Sequence, residues 1–167
     1  PVWDYAHIPG TTSIEESDDD LLARKDWVFA AHPNKCFGGT QNGRRAVIYE
    51  LAEHDGTQAL VTHFAFEDGY VCLGAGIRDA EGRPLVTTVD QCWLAGDPEI
   101  TDRATVHNGI RYTALDGTVM DTAIREQVGS WRRNNAALSD RPVKGDVLTL
   151  TVTHPAGKES AYAYMIS

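Results

Sequence analysis

The sequence predicts one all-β domain, an antiparallel β-sandwich spanning residues 1–167. Three observations predict this fold class. From Trp27 onward, apolar residues recur at every second position, which is the spacing of strands that bury one face. Asn-Gly and Asp-Gly dipeptides separate these runs, and such dipeptides favour hairpin turns. No helical periodicity lies between the runs, so the strands are expected to pair antiparallel.

The amino-terminal segment precedes this regular pattern. Residues 1–12 are rich in aromatic residues, Pro and Gly without periodicity, and we expect an irregular lead-in. In residues 13–24, Ser13 and Glu16 have the spacing of a capping box, and acidic residues suit a first helical turn. The segment therefore predicts one short helix or, alternatively, a solvated loop.

Six later runs show the period of two. The side chains predicted to share a face are Val47, Tyr49 and Leu51; Leu60, Thr62, Phe64 and Phe66; Val71, Leu73, Ala75 and Ile77; Leu85, Thr87, Val89, Gln91 and Trp93; Leu148, Leu150 and Val152; and Tyr162, Tyr164 and Ile166. Successive side chains of a strand point to opposite faces, so we expect one face of each run to be buried and the other to be exposed to solvent. By this alternation His63 falls opposite Phe64 and Phe66, on a solvent face.

Turn signals divide the chain into short segments. They lie at residues 41–43, 54–56, 67–69, 81–84, 107–109 and 115–117. Asn and Asp before Gly tolerate the positive φ angles of tight hairpins. We find no internal repeat or linker, which favours one domain.

Composition and charge exclude several function classes. The net charge of −9 makes nucleic acid and anionic membranes poor partners, because an acidic domain repels polyanions. No apolar run approaches the roughly 20 residues of a membrane helix. The sequence has no GxSxG elbow, P-loop or GxGxxG motif.

Neither a metal nor a cofactor is predicted. Cys36, Cys72 and Cys92 are odd in number and lack CxxC spacing, so Cys72 and Cys92 are expected to be small buried apolar residues. Six histidines are scattered along the chain, and no pair has the HExxH spacing of a zinc site.

His107 and Tyr112 are candidates for acid–base chemistry or substrate binding. His107 begins a hairpin turn at Asn108-Gly109, and Tyr112 is expected across from it. A His/Tyr couple can transfer protons. The alternative is structural, because cross-strand aromatic pairs commonly stabilise sheets.

Trp93 and Trp131 are candidates for a sugar-binding platform. The apolar C–H faces of a sugar ring stack on indole rings, with nearby polar groups contacting the hydroxyls. The alternative is that both tryptophans fill the core of the sandwich, as large aromatic residues often do.

Several segments, taken in order, resemble the central β-domain of the family eight polysaccharide lyases, the hyaluronate, chondroitin AC and xanthan lyases. The matching segments are Trp3-Asp4 with Ile8 to Thr12, Phe37-Gly38-Gly39, Phe64 to Asp68, Leu73 to Ile77, Thr87 to Gln91, His107 to Tyr112, Gly129 to Asn135, and His154 with Tyr162 to Tyr164. Departures occur at Leu60 to His63, at Asn134 and at Pro155, and they bear on substrate identity more than on fold.

The resemblance implies a super-sandwich fold and a division of labour within a larger enzyme. Such lyases cleave next to a uronic acid by β-elimination: the carboxylate is neutralised, a base removes the C5 proton and an acid protonates the departing oxygen. In the family these groups lie on a helical toroid domain, so no catalytic residue is carried over to this chain. The implied partners are an acidic polysaccharide and the toroid of the same enzyme, and the implied location is secreted or periplasmic.

Three hypotheses follow from these observations. The first is a lyase β-domain, a fragment that lines and supports the cleft, and it predicts an exposed apolar face where another domain packs. The second is a free-standing carbohydrate-binding module. The third is a self-sufficient eliminase that uses His107 and Tyr112.

Overall fold

Strands dominate the computed structural model, which describes residues 2–17, 19–20, 34–53 and 55–167. The elements are β1 (Thr12–Ile14), β2 (Lys35–Gln41), β3 (Arg44–Ala52), β4 (Thr57–Phe66), β5 (Gly69–Asp79), β6 (Leu85–Trp93), β7 (Glu99–Ile100), β8 (Ala104–His107), β9 (Ile110–Ala114), β10 (Asp121–Gly129), β11 (Val143–His154) and β12 (Ser160–Ile166), with a 3-10 helix, η1 (Trp131–Arg133), after β10.

The strands form two antiparallel sheets. The smaller sheet has the order β1-β6-β11-β10, and the larger has the order β2-β3-β4-β5-β12-β9-β8-β7. Asn42 and Asn108 have positive φ angles of 50° in the turns that join β2 to β3 and β8 to β9. Both turns were predicted from their Asn-Gly dipeptides, and the prediction of an all-β antiparallel sandwich is confirmed.

The core lies between the two sheets. Leu148 and Leu150 of β11 are fully buried and face Tyr162 and Tyr164 of β12 in one apolar cluster. The alternation predicted for β11 and β12 is therefore confirmed. Full burial of each leucine stabilises the fold by roughly 1.5–3 kcal/mol, so this layer contributes to the attraction between the sheets.

A bulge in β6 reverses its alternation. The pairing of β6 with β11 shifts by one residue at Val89. Beyond the bulge Cys92 packs against the core, whereas Trp93 points away from it and is half-exposed. Our prediction that Gln91 and Trp93 share a face with Leu85 is wrong, because an extra residue moves every later side chain to the other face.

A second irregularity lies in β5. Gly76 has a positive φ of 60°, and the pairing with β4 shifts beside it. As a result Ile77 is fully buried, while Leu73 is exposed on the opposite side of the sheet. The prediction that these two residues share a face is wrong for the same physical reason.

The larger sheet carries an exposed apolar surface on the side away from the core. Phe37, Ile48, Leu60, Phe64 and Leu73 are all at least 36% exposed, and their strand register places them on one side of β2 to β5. We call these five residues the outer apolar face. It is the kind of surface that the lyase-domain hypothesis predicts.

His63 lies on the inner side of β4, opposite this face. It is half-buried, and its Nδ1 lies 3.1 Å from Sγ of Cys72. Our prediction of a solvent-facing His63 is wrong. The alternation itself holds around His63, but Phe64 and Phe66 occupy the exposed side and not the core.

The predicted capping box at Ser13 is also wrong, because Ser13 lies in β1 and pairs with Val86. The helical backbone begins later, at residues 19 and 20, where the Asp20 N–H donates to the Ser17 hydroxyl over 3.1 Å. The rest of the predicted segment, residues 21–24, lies outside the described residues. In the described part of the chain, no helix is long and apolar enough to cross a membrane.

Gln91 holds the lead-in against the smaller sheet. Its Nε2 donates to the carbonyl oxygens of Asp4, at 2.9 Å, and His7, at 2.6 Å. Its Oε1 accepts from the Asp4 N–H at 2.9 Å. The outward turn that the bulge imposes on Gln91 therefore fixes the amino-terminal segment in place.

Candidate functional site

Trp93 lies at the end of β6 with half of its surface exposed. Its indole covers the backbone of Gly145 on the neighbouring strand, where an added Cβ would lie 1.9 Å from the ring. Only glycine leaves room for a ring in this position. The packing fixes the ring plane while leaving an apolar surface open to a ligand.

Trp131 begins η1, just after β10, and is also half-exposed. The turn around it is held by hydrogen bonds from the Arg132 N–H to Ser139 O (3.1 Å) and from the Ser130 hydroxyl to Asp140 (3.0 Å). Neither tryptophan fills the core, so the core-filling alternative is wrong for both.

Both tryptophans lie at the same end of the smaller sheet. Strands β6 and β10 each pair antiparallel with β11. They therefore run in the same direction, and their carboxyl ends lie at the same end of the sheet. Trp93 is the last residue of β6, and Trp131 follows two residues after the end of β10. Arg132 and Arg133 follow in η1 and add positive charge to this end of an acidic domain.

His107 is buried and has two neighbours inside the protein. Its Nε2 accepts a hydrogen bond from the Ala95 N–H at 2.9 Å, and its Nδ1 lies 3.5 Å from Sγ of Cys92. An Nε2 that accepts must be unprotonated, so in the neutral ring the proton is on Nδ1. His107 therefore fastens the segment after β6 to β8.

Tyr112 does not lie directly opposite His107, as we had expected. The register pairs Tyr112 with Thr105 and His107 with Ile110. The buried Tyr112 hydroxyl donates to the Asp90 carboxylate instead. Burial, and next the Asp90 carboxylate, raises the pKa of Tyr112, so its phenol stays protonated and is a poor general base.

A second group of polar side chains was missed by the sequence reasoning. His63, Cys72 and Asp90 line one cavity between the sheets, together with Tyr112. Asp90 reaches it because the bulge at Val89 turns its side chain inward. Strands β4, β5 and β6 each contribute one of these polar side chains. They were not brought together from the sequence because the wrong faces were assigned to β4 and to the end of β6.

His154 of β11 connects the smaller sheet to β12 of the larger sheet through a chain of hydrogen bonds. Its Nε2 lies 2.8 Å from the Thr87 hydroxyl, which lies 2.7 Å from the Thr12 hydroxyl. Its Nδ1 lies 2.9 Å from the Ser160 hydroxyl. Burial lowers the pKa of His154 to about 4, because a charged imidazole would have to form away from water.

Metal binding would need several ligands in one place. Within residues 2–17, 19–20, 34–53 and 55–167, no three His, Cys, Asp or Glu side chains are grouped so that they could hold an ion. The two Cys–His contacts, Cys72 with His63 and Cys92 with His107, are therefore thiol–imidazole pairs in this structure.

The sequence as a whole matches a family model described as polysaccharide lyase family 8, super-sandwich domain, over residues 1–167. The chain belongs to polysaccharide lyase family 8. The resemblance deduced from the ordered motifs is thereby confirmed. Membership of family 8 also agrees with the observed sandwich of two antiparallel sheets.

Curated relatives agree with this family, and solved structures share the fold. Chondroitinase-AC of Pedobacter heparinus is 31% identical over 183 residues, covering 99% of this chain and 26% of the relative. A chondroitinase AC lyase studied with oligosaccharides superposes with a TM-score of 0.81 at 28% identity, over 99% of this chain and 27% of that one. A xanthan lyase from Paenibacillus shares the fold, with a TM-score of 0.71 at 19% identity over 98% of this chain and 18% of that one.

The family 8 match concerns one part of larger proteins. The chain spans about a quarter of the length of the curated relatives it matches. Those relatives are named for chondroitin and hyaluronate, both acidic polysaccharides.

Proposed function

We propose that this chain is the β-sandwich domain of a polysaccharide lyase that cleaves a uronic-acid-containing polysaccharide by β-elimination. In this proposal the domain spans residues 1–167, and it lines and supports the cleft while another domain supplies the catalytic groups. The observation that carries it is the family 8 match over the whole chain. The implied location is secreted or periplasmic.

The interior polar contacts support a non-catalytic role. His107 and Tyr112 are each at most 4% exposed. His107 accepts from a backbone N–H, and Tyr112 donates to Asp90. A general base must reach the proton that it removes, within about 3 Å or through one water. These two side chains are better suited to holding β8 and β9 against β6, which disfavours a self-sufficient eliminase.

The half-exposed indoles support a contact with the polysaccharide. We assign Trp93 and Trp131 to stacking against sugar rings at the end of the smaller sheet, beside the arginines of η1. Arg132 adds positive charge there that attracts uronate carboxylates although the domain as a whole is acidic, whereas Arg133 lies 4.0 Å from Asp19 in an ion pair. A rigid indole loses little entropy on binding, so each ring is an effective platform.

The outer apolar face supports a partner domain. Its five large apolar side chains are exposed side by side, whereas monomeric proteins rarely expose an extended apolar patch without a function. We assign this face to packing against a further domain of the same polypeptide, with the helical toroid as the partner that completes the cleft.

An eliminase assay tests the proposal. The unsaturated uronate product absorbs in the ultraviolet, and hyaluronan, chondroitin, xanthan and alginate form the substrate panel. We expect the isolated chain to be inactive on all four, and a polypeptide that joins it to the helical domain to form product on one. Product from the isolated chain, lost in Tyr112→Phe, would overturn the division of labour.

The second candidate is a free-standing carbohydrate-binding module, which the exposure of Trp93 and Trp131 favours. It predicts saturable quenching of tryptophan fluorescence when the isolated chain meets a polysaccharide. Trp93→Ala should remove part of that quenching. If none of the four polysaccharides quenches the fluorescence, this alternative is eliminated.

A further inference from the structure

A cavity of about 390 Å³ opens between the two sheets, away from the exposed tryptophans. Its floor is buried, with Cys72, Tyr112 and Tyr164 each at most 3% exposed. Tyr70 and Ile110 are about 40% exposed and form its rim. The cavity is therefore concave, has three tyrosine rings in its lining, and is open to solvent at the rim.

Asp90 gives this cavity its charge. Among the described residues that line it, Asp90 is the only acidic side chain, and none is Lys or Arg. One carboxylate oxygen accepts from the Gln91 N–H at 2.8 Å and the other from the Tyr112 hydroxyl. Each oxygen can accept a further hydrogen bond. Within the described part of the chain, no cation forms an ion pair with Asp90.

His63 does not neutralise this carboxylate. It lines the same cavity, but its Nδ1 contacts Sγ of Cys72. Burial lowers the pKa of His63, so the ring is neutral near pH 7. The Asp90 carboxylate is therefore half-buried and faces the cavity, and the hydrogen-bond donors that contact it are neutral groups.

The geometry points to a binding site for a small organic cation, an alkylammonium group held between the Asp90 carboxylate and the exposed ring of Tyr70, above a floor that contains Tyr112 and Tyr164. A cation is attracted both to the carboxylate and to the π face of the Tyr70 ring. The alkyl part replaces water on the apolar walls. An anion would be repelled by Asp90, which makes this site distinct in chemistry from the proposed polysaccharide contact and independent of it.

Choline provides the test, with 3,3-dimethyl-1-butanol as its uncharged isostere. Each is titrated into the isolated chain while the NMR signals of the tyrosine rings and of the His63 ring are followed. We expect saturable shifts with choline and an affinity for the neutral alcohol that is roughly tenfold lower. Absence of shifts with choline, or equal binding of the two compounds, would overturn the proposal.

Two substitutions assign the effect to the cavity. Asp90→Asn keeps the shape and an acceptor for the Tyr112 hydroxyl but removes the charge, so it should lower choline affinity roughly tenfold while the alcohol is unaffected. Asp146→Asn removes an exposed carboxylate on β11 and should change neither. If both variants weaken choline equally, the attraction comes from the overall charge and the site is refuted.

The source of the cation is tested with a second probe, Nα-acetyl-lysine methylamide, which presents a lysine side chain. Tighter binding of this probe than of choline indicates that a lysine from another segment occupies the cavity. Tighter binding of choline indicates a free small molecule. Because neither assay involves polysaccharide, a failure here leaves the lyase proposal unaffected.

Discussion

Replacing His154 with Gln should change how the stability of the fold depends on pH. The imidazole is 2% exposed and contacts three neighbours, through hydrogen bonds to Thr87 and Ser160 and ring packing against Tyr162. In the unfolded chain it takes up a proton near pH 6.5, whereas burial lowers its pKa in the folded protein to about 4. The neutral His154 ring therefore contributes fully to stability above pH 6.5, and this contribution is lost as the pH falls from 6.5 to about 4.

The size of the effect follows from the pKa difference. One pKa unit corresponds to about 1.4 kcal/mol, so the fall from 6.5 to about 4 amounts to roughly 3 kcal/mol. Urea unfolding at a series of pH values measures the free energy of unfolding for the unsubstituted chain and for His154→Gln. The variant is expected to be less stable than the unsubstituted chain at neutral pH. On acidification, however, it should lose roughly 3 kcal/mol less free energy of unfolding than the unsubstituted chain loses.

His7 is the matched control. The hydrogen bond to Asp4 raises the pKa of His7, so its contribution is present below pH 6.5 and is lost as the pH rises through its folded pKa. His7→Asn should therefore leave the acid-side loss intact. If the unsubstituted chain and His154→Gln lose stability in parallel on acidification, or if NMR titration gives His154 an ordinary pKa, the reasoning is refuted.

Three further predictions concern the core, the tryptophan and the outer apolar face. Leu150→Ala should lower the free energy of unfolding by about 2–5 kcal/mol in urea titrations, because it leaves a cavity in the core. Val119→Ala, at a position 72% exposed, should change it by less than about 0.5 kcal/mol. Equal effects of the two substitutions would contradict the assigned core. Gly145→Ala places a Cβ in the Trp93 ring and should displace the indole, shifting its fluorescence and costing about 1–3 kcal/mol, and an unchanged spectrum would contradict the packing. The isolated chain should self-associate at high concentration through the outer apolar face, and Phe64→Lys should reduce this in sedimentation experiments; a monodisperse unsubstituted chain would contradict the assignment.

The fold class and many turns could be predicted from the sequence because they depend on local chemistry. Asn42 and Asn108 precede glycines in the turns where a positive φ is required. The alternation in β11 also holds from Leu148 to Val152, because the extra residue of the bulge belongs to β6 and not to β11. In these segments the local pattern and the tertiary packing agree.

The face assignments failed where the backbone departs from regular pleating. A single extra residue at Val89 sends Trp93 outward and Asp90 inward, and Gly76 has a similar effect on Ile77. The sequence marks Gly76 as unusual, but nothing local distinguishes Val89 from its neighbours. The bulge arises from pairing with β11, a strand some 60 residues later in the chain.

The assignment of His63 failed for a different reason. Strand β4 carries large apolar residues on its outer side, so hydrophobicity alone selected the wrong face as the core. An apolar outer side is what the proposed packing against a further domain requires.

The proposed division of labour is tested most directly by steady-state kinetics on a polypeptide that joins this chain to the helical domain of the proposed lyase. We predict that Trp93→Ala raises KM with little change in kcat, and that Tyr112→Phe, if folded, leaves kcat near that of the unsubstituted enzyme. A general acid or base contributes roughly 10²–10⁴-fold to the rate. A loss of kcat of that size in folded Tyr112→Phe would contradict the account and place catalytic chemistry inside this domain.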